Sequence, residues 1–322
     1  MSFSTDVKSE ISKVSMNEEC SKAQLAAMLQ LLSSLTISSS GLQLQVRADN
    51  PTIVKQIYRL VRQIYRVEVE LSVIKKVKLK KNNTYVCKIL TKAREILFDL
   101  GLWTEEGLQV YPSADRKIVY DESTDKAYLS GCFLAGGSVN DPAKPNYHLE
   151  IATNKKEHAA YIQKIMKRRY IPAKIIERRS QYVVYIKTAD IIVDFLAAIG
   201  ATDCSFEFAD IKIQRDYVSS LYRVENCKIA NEQKTITAGV KQSEMIEYLE
   251  EKLGGLDGLE EKIREVALLR KEFPESSLTE LCATYEARYG IPISKSGIKH
   301  RINKLEELAE KYRRMDEKGE NV

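Results

Sequence analysis

The chain repeats itself, and the repeat limits its fold more than any other feature does. "QLAAMLQLLSSLTI" from Gln24 and "YLSGCFLAGGSVND" from Tyr128 share a texture of small and apolar residues. Each is followed by an alternating strand, with Leu42, Leu44 and Val46 on one face in the first copy and Tyr147, Leu149 and Ile151 in the second. A helix comes next, where Ile57, Val61, Tyr65 and Val67 stand in the order and spacing of Ile162, Met166, Tyr170 and Pro172. "YVCKILTKAREILFDLGL" from Tyr85 then matches "YVVYIKTADIIVDFLAAIG" from Tyr182: a strand, a threonine, an apolar helix and a closing glycine. A long period of this kind signals a duplicated unit. The expected order is helix-strand-helix-strand-helix, twice, with room for an extra strand in each half.

The leading helix of the second copy is short of bulk. Gly131, Ala135, Gly136 and Gly137 are interleaved with Leu129, Cys132, Phe133 and Leu134, and small residues at helical spacing let two backbones approach closely. A helix-interior glycine costs roughly 1 kcal/mol, so Gly136-Gly137 reads as the helix C-terminus. Tyr58, Tyr65, Tyr85, Tyr170, Tyr182 and Tyr185 are expected in core and strand packing rather than as base-stacking platforms.

Total charge says little, because 50 Lys+Arg against 45 Asp+Glu leave only +5; any nucleic-acid surface has to arise from local clustering. The six cysteines contain no CxxC pair and read as reduced thiols. His148, His158 and His300 form no metal-ligand spacing, and no apolar signal region follows "MSFSTDVKSE". We therefore expect a cytoplasmic protein without metal or cofactor. The uncharged run from Ala23 to Val46 contains too many serines and glutamines to span a membrane.

After Gly200 the sequence becomes charged and helical as far as Gly254, Gly255 and Gly258, which mark a hinge. Leu259 to Lys271 is amphipathic, Phe273-Pro274 breaks it, "SLTE" from Ser277 is a capping box, and Gly290 supplies a stop. The basic stretch that follows completes a helix-turn-helix. In its last helix Ile298, Ile302, Leu305 and Ala309 fall on one side, with Ser296, His300 and Asn303 opposite and Lys299 and Lys304 flanking. With Ser294, Lys295 and Arg301 they form a cluster that holds no acid between Ser294 and Leu305. Asn pairs with adenine and Lys with guanine edges in the major groove, while Lys295, Arg301 and Lys304 are assigned to phosphates. The expected fold class is α+β, a duplicated domain over 19–201 (halves 19–102 and 125–201) followed by an all-α domain over 257–315. A helical segment over 1–18, a helical linker over 202–256 and a disordered tail over 316–322 complete the chain.

A duplicated α+β unit led by a small-residue helix resembles the LAGLIDADG homing-endonuclease fold. Leu129 to Gly137 falls on the second signature and Leu25 to Ser33 on the first. In active members the eighth signature position is the metal-binding acid, and here those places hold Leu32 and Gly136. Mg²⁺ at a phosphodiester needs hard oxygen ligands, and neither residue supplies one. Asp49 and Asp141, in "ADNP" and "NDP", read as turn residues.

The same scaffold joined to this tail resembles the WhiA family of sporulation and cell-division regulators from end to end, most specifically in "RVENCKIAN" from Arg223 and "SKSGIKHR" from Ser294. That family usually has Asn where this chain has Lys299, and often Arg where it has Asn303. Membership implies double-stranded DNA as partner, with RNA polymerase or another transcription regulator as a further one. It also implies roles in transcription, cell division and chromosome segregation. Two other readings stay open: a metal-dependent LAGLIDADG endonuclease using Asp141, and an RNA-binding, maturase-like protein. Lys76, Lys78 and Lys80, together with Lys167, Arg168 and Arg169, are candidates for scaffold contacts with DNA, or equally for a solvated edge that guards against strand pairing.

Overall fold

The computed structural model describes residues 2–38, 41–75, 83–104, 107–108 and 117–317. It divides into two compact units, Met1–Asp216 and Tyr217–Val322. In the first unit, α1 (Phe3–Ile11) precedes two copies of one motif. The first copy runs α2 (Glu18–Leu32), β1 (Ser33–Ser38), β2 (Gly41–Ala48), α3 (Pro51–Tyr65), β3 (Val69–Ile74), β4 (Thr84–Ile89) and α4 (Ala93–Asp99). A short hairpin, β5 (Trp103–Thr104) and β6 (Gly107–Leu108), separates it from the second copy. That copy runs α5 (Glu122–Gly136), β7 (Gly137–Val139), β8 (Leu149–Thr153), α6 (Lys156–Arg168), β9 (Lys174–Arg178), β10 (Gln181–Ile186) and α7 (Ala189–Ala198). Each copy builds one antiparallel sheet with the same topology, β1-β2-β4-β3 and β7-β8-β10-β9. Each half thus has two strands more than the minimal pattern, one directly after the leading helix and one as the sheet edge.

The leading helices begin where their caps dictate. Asn17 accepts from the Cys20 amide at 2.8 Å, and Asp121 forms a capping box with Thr124. Both helices are apolar on nearly all sides and are buried accordingly: Leu25, Met28, Leu29, Leu129, Cys132, Phe133 and Leu134 are inaccessible to solvent. They cross at Gly131, where an added Cβ would lie 2.3 Å from the Gln24 carbonyl oxygen and 2.8 Å from the Ala27 methyl. A polar chain bridges the contact. Gln24 Nε2 donates to Ser130 Oγ at 2.8 Å, and Gln56 Nε2 donates to Gln24 Oε1 at 2.7 Å.

Two sequence expectations change here. The register shared by α3 and α6 holds through Val61 and Met166 but slips by one at the helix end, where the left-handed residues are Arg66 (φ 52°) and Tyr170 (φ 59°). Buried Val67 therefore matches buried Ile171 rather than Pro172. Tyr170 in consequence points away from the core and is 93% exposed. Tyr65, Tyr85 and Tyr182 do pack against the core, whereas Tyr58 carries Arg62 on the surface and Tyr185 stacks on His148.

The helix α8 (Thr202–Leu253) starts in the first unit and ends in the second, where Gly254 (φ 69°) and Gly255 (φ 132°) terminate it. The second unit then adds α9 (Glu261–Glu272), α10 (Leu278–Tyr289) and α11 (Lys295–Glu317). Ser277 and Glu280 form the expected capping box and Gly290 closes α10 at φ 71°. Gly239 of α8 lies so close to the α9–α10 loop that a Cβ there would sit 1.9 Å from the Pro274 carbonyl oxygen. Arg270 is buried beneath the same loop and donates to the Ser276 carbonyl at 2.6 Å.

Candidate nucleic-acid interface

The helix α11 is 23 residues long, and successive parts of its buried face meet different partners. Ile298 and Ile302 enter a core with Val266, Leu269, Leu281 and Tyr285 of α9 and α10. Leu305 and Ala309 enter a second core with Met245, Ile246 and Leu249 of α8. The first four turns of α11 are thereby held as the last helix of a three-helix group, the chain reversing between Gly290 and Ser294.

Burial on that side leaves Lys295, Ser296, Lys299, His300, Asn303 and Lys304 exposed on the other. Ser294 caps the helix, its Oγ accepting from the Gly297 amide at 3.1 Å and meeting Ser296 Oγ at 2.9 Å. The first turn contains no acid. Lysines at a helix N-terminus oppose the macrodipole and cost local stability, and Lys295 stands in the first turn of α11, where acids would stabilise the helix, with Lys299 one turn on. Lys304 lies 3.8 Å from Glu260, a loose and half-exposed pairing.

Arg301 is placed differently from its neighbours. Its guanidinium lies 5.2 Å from the ring centroid of Tyr285, a residue only 1% exposed, and the Tyr285 hydroxyl in turn donates to Glu265 at 2.5 Å. Desolvation, chiefly, raises the pKa of that phenol. Arg301 therefore serves the packing of α11 on α10, and sequence alone gave no sign of it because i+3 from Ile298 is also consistent with a solvent-facing position.

The scaffold candidates divide. Lys76, Lys78 and Lys80 lie outside the described residues. Lys167 is exposed, but Arg168 holds Asp125 at 2.5 Å, and Arg169 reaches Asp125 at 3.3 Å and Glu122 at 3.0 Å. Asp125 is 1% exposed; burial raises its pKa against the opposing pull of the two arginines. These arginines fasten α6 to the start of α5. The outward face of the second sheet is mixed in sign, with Glu150 accepting from Ser138 at 3.4 Å and meeting His148 at 3.0 Å and Arg178 at 3.9 Å.

The two signature positions, Leu32 and Gly136, have different surroundings. Leu32 is partly buried against the core. Gly136 is the last residue of α5, yet its successor Gly137 is extended, at φ −87° and ψ 151°, so the pair does not end the helix through a left-handed turn as its composition suggested. Space is the reason. A Cβ on Gly136 would lie 2.5 Å from the Ala152 carbonyl oxygen of β8, and one on Gly137 would lie 2.4 Å from the Phe133 ring. A side chain at the second signature position, a carboxylate included, thus requires α5 or β8 to shift. Asp141 forms an Asx turn, accepting from the Ala143 amide at 2.9 Å.

Comparison with known proteins follows this division of the chain. Family profiles match in three consecutive blocks: the WhiA N-terminal LAGLIDADG-like domain over 18–103, the WhiA LAGLIDADG-like domain over 125–218 and the WhiA C-terminal HTH domain over 221–309. A probable cell division protein WhiA of Latilactobacillus sakei is 43% identical over 97% of this chain and 98% of its own length. One of Staphylococcus haemolyticus is 40% identical over the same shares. The crystal structure of full-length DUF199/WhiA from Thermatoga maritima is 25% identical, with a TM-score of 0.58 over 97% of this chain and 99% of that one.

Proposed function

Because this chain belongs to the WhiA family, we propose that it is a non-enzymatic, sequence-specific DNA-binding regulator of transcription, cell division and chromosome segregation. One observation supports this above the others: the exposed face of the first turns of α11, acid-free from Ser294 to Leu305, with Lys295, Ser296, Lys299, His300, Asn303 and Lys304, on a three-helix group that buries the opposite face. Helix-turn-helix proteins lay the N-terminal turns of such a helix in the major groove. In this reading Asn303 and His300 contact base edges and Lys295 and Lys304 contact phosphates. Lys299 stands where the family usually has Asn, and Asn303 where it often has Arg, so base preference differs in detail from that of relatives. Double-stranded DNA in the nucleoid is the primary partner, and RNA polymerase or another regulator bound to the same DNA is a second.

Against the endonuclease reading stands Gly136, which carries no carboxylate and where even a Cβ would lie 2.5 Å from the Ala152 carbonyl oxygen of β8. The test is binding of the full-length chain to a duplex taken from its own genome-wide binding sites and to a random duplex, over a range of salt. Asn303→Ala or His300→Ala should remove about 1–3 kcal/mol of discrimination between the two. Lys295→Ala and Lys304→Ala should weaken both equally and lower the salt slope by about 0.9 for each lost contact. Silence of Asn303 and His300, or RNA competing off duplex DNA at matched salt, would refute the assignment.

A further inference from the structure

The middle of α8 is open to solvent on all sides, every residue from Leu221 to Lys234 being exposed. Phe206, Ile213, Tyr217, Leu221 and Val224 of this helix are each 51–67% accessible. At 100° per residue these five fall within about 80° of one another, a single stripe rather than scattered apolar residues. Helices draw most of their stability from what packs on their apolar face, and a contiguous apolar patch left in water marks an interaction surface.

The stripe follows a seven-residue repeat. Tyr217 and Val224 occupy a positions and Phe206, Ile213, Ser220 and Cys227 the d positions, with Asp210 and Asn231 extending the a series. Asp216 and Arg223 then stand at g, and Glu207, Leu221 and Lys228 at e, while Tyr222 and Ile229 at f point away from the seam. An antiparallel pair of such helices sets a against d, g against g and e against e. With a two-fold axis between Val218 and Ser219, Tyr217 lies over the second copy's Ser220 and Ile213 over its Val224, large against small and aliphatic against aliphatic. In the same register Asp216 meets the second copy's Arg223 and Glu207 meets its Lys228, so both flanking pairs are opposite in sign. Moving by one heptad either way puts Asp216 on Asp216 or Arg223 on Arg223, and a parallel pair puts Arg223 beside Lys228. Within one chain, Arg223 donates to the Ser219 carbonyl of its own helix at 3.3 Å and Lys212 lies 3.8 Å from Asp216. Both are loose, exposed contacts that a partner's charge can replace.

We propose that a second copy of this chain docks along α8, the two helices antiparallel about Val218 and Ser219 and the apolar stripe of each covered by the other. The outer layers are polar, Asp210 against Cys227 and Phe206 against Asn231, so the association is weak and reversible. Of the stretch from Arg223 to Asn231, Arg223, Val224, Cys227, Lys228 and Asn231 all line or flank this seam. The surface is separate from the exposed face of α11 and does not rest on the DNA-binding reading.

The experiment is sedimentation equilibrium of the full-length chain, reduced and without DNA. A dimer should form with a Kd on the order of 10 μM. Val224→Glu should leave monomer at that concentration, whereas Tyr222→Glu, at f, should dimerise as before. Both positions are exposed, so the Tm of dilute, monomeric samples should match that of the unaltered chain. Asp216→Arg should weaken the dimer by about tenfold, because it turns two attractive pairs into two repulsive ones. The double variant Asp216→Arg/Arg223→Asp should regain self-association yet fail to pair with the unaltered chain, an outcome the antiparallel register requires. Monomer alone at about 300 μM would overturn the proposal, as would a dimer indifferent to Val224→Glu. A dimer lost in Asp216→Arg but not regained in the double variant would overturn the antiparallel arrangement.

Discussion

Replacing Gly136 tests directly whether the scaffold has lost its acid by packing. In Gly136→Ala the new methyl would sit 2.5 Å from the Ala152 carbonyl oxygen, and that residue is fixed in the ladder by pairing with Val183. Relief requires α5 or β8 to shift, and overpacking of this kind costs about 1–3 kcal/mol. The gain in helix propensity, at most about 1 kcal/mol in an interior position, is smaller at the last residue of α5. Gly136→Ala should therefore destabilise the first unit by about 1–2 kcal/mol, and Gly136→Asp by about 2–4 kcal/mol, since a carboxylate at a helix C-terminus also opposes the macrodipole. Urea unfolding followed by the single tryptophan, Trp103, reads this unit alone. The double variant Leu32→Asp/Gly136→Asp should leave duplex DNA intact with Mg²⁺ or Mn²⁺. A neutral or stabilising Gly136→Ala would refute the packing argument, and metal-dependent cleavage by the double variant would refute the conclusion built on it.

Three further outcomes follow from the same geometry. Arg301→Ala should cost the second unit about 1–2 kcal/mol through the lost contact with Tyr285 while leaving the salt slope of DNA binding unchanged; a slope reduced by about 0.9 would return Arg301 to the phosphates. His158, held near a pKa of about 4 against about 6.5 when unfolded, binds its proton more tightly in the unfolded chain. Its contribution is thus complete above pH 6.5 and lost as pH falls toward 4, by about 3 kcal/mol in all, a slope that His158→Gln should flatten in pH-dependent urea unfolding. Gly131→Ala, which drives a methyl against the Gln24 carbonyl, should destabilise by about 2–3 kcal/mol in the same assay, where an unpacked helix would instead gain about 1 kcal/mol.

Periodicity revealed those features that depend on which face of an element is buried. The repeat, the capping box at Ser277 and the core stripe Ile298, Ile302, Leu305 and Ala309 are of this kind, because burial of one helix face writes itself into spacing. Features set by a neighbour distant in sequence left no such trace. Gly136 is small because of Ala152, Arg301 is turned inward by Tyr285, and Arg168 and Arg169 are engaged by Asp125. The slip at Arg66 and Tyr170 escaped the alignment because a single left-handed residue shifts everything after it while leaving the preceding apolar pattern intact.

The crossing of α2 and α5 also decides which halves can join. Counting from Gln24 against Tyr128, the first-half equivalents of Ser130 and Gly131 are Ala26 and Ala27. Were α2 to pair with α2 of another molecule across the same surface, Ala27 would bring a methyl to the spot where Gln24 tolerates only hydrogen. Ala26 would offer no hydroxyl to the Gln24 amide, which is fully buried and would lose a partner at a cost of about 1–3 kcal/mol on each side. Two neighbouring residues thus turn a surface inherited from duplication into one that accepts the other half and rejects its own copy, so two first halves cannot meet across it as a first and a second half do.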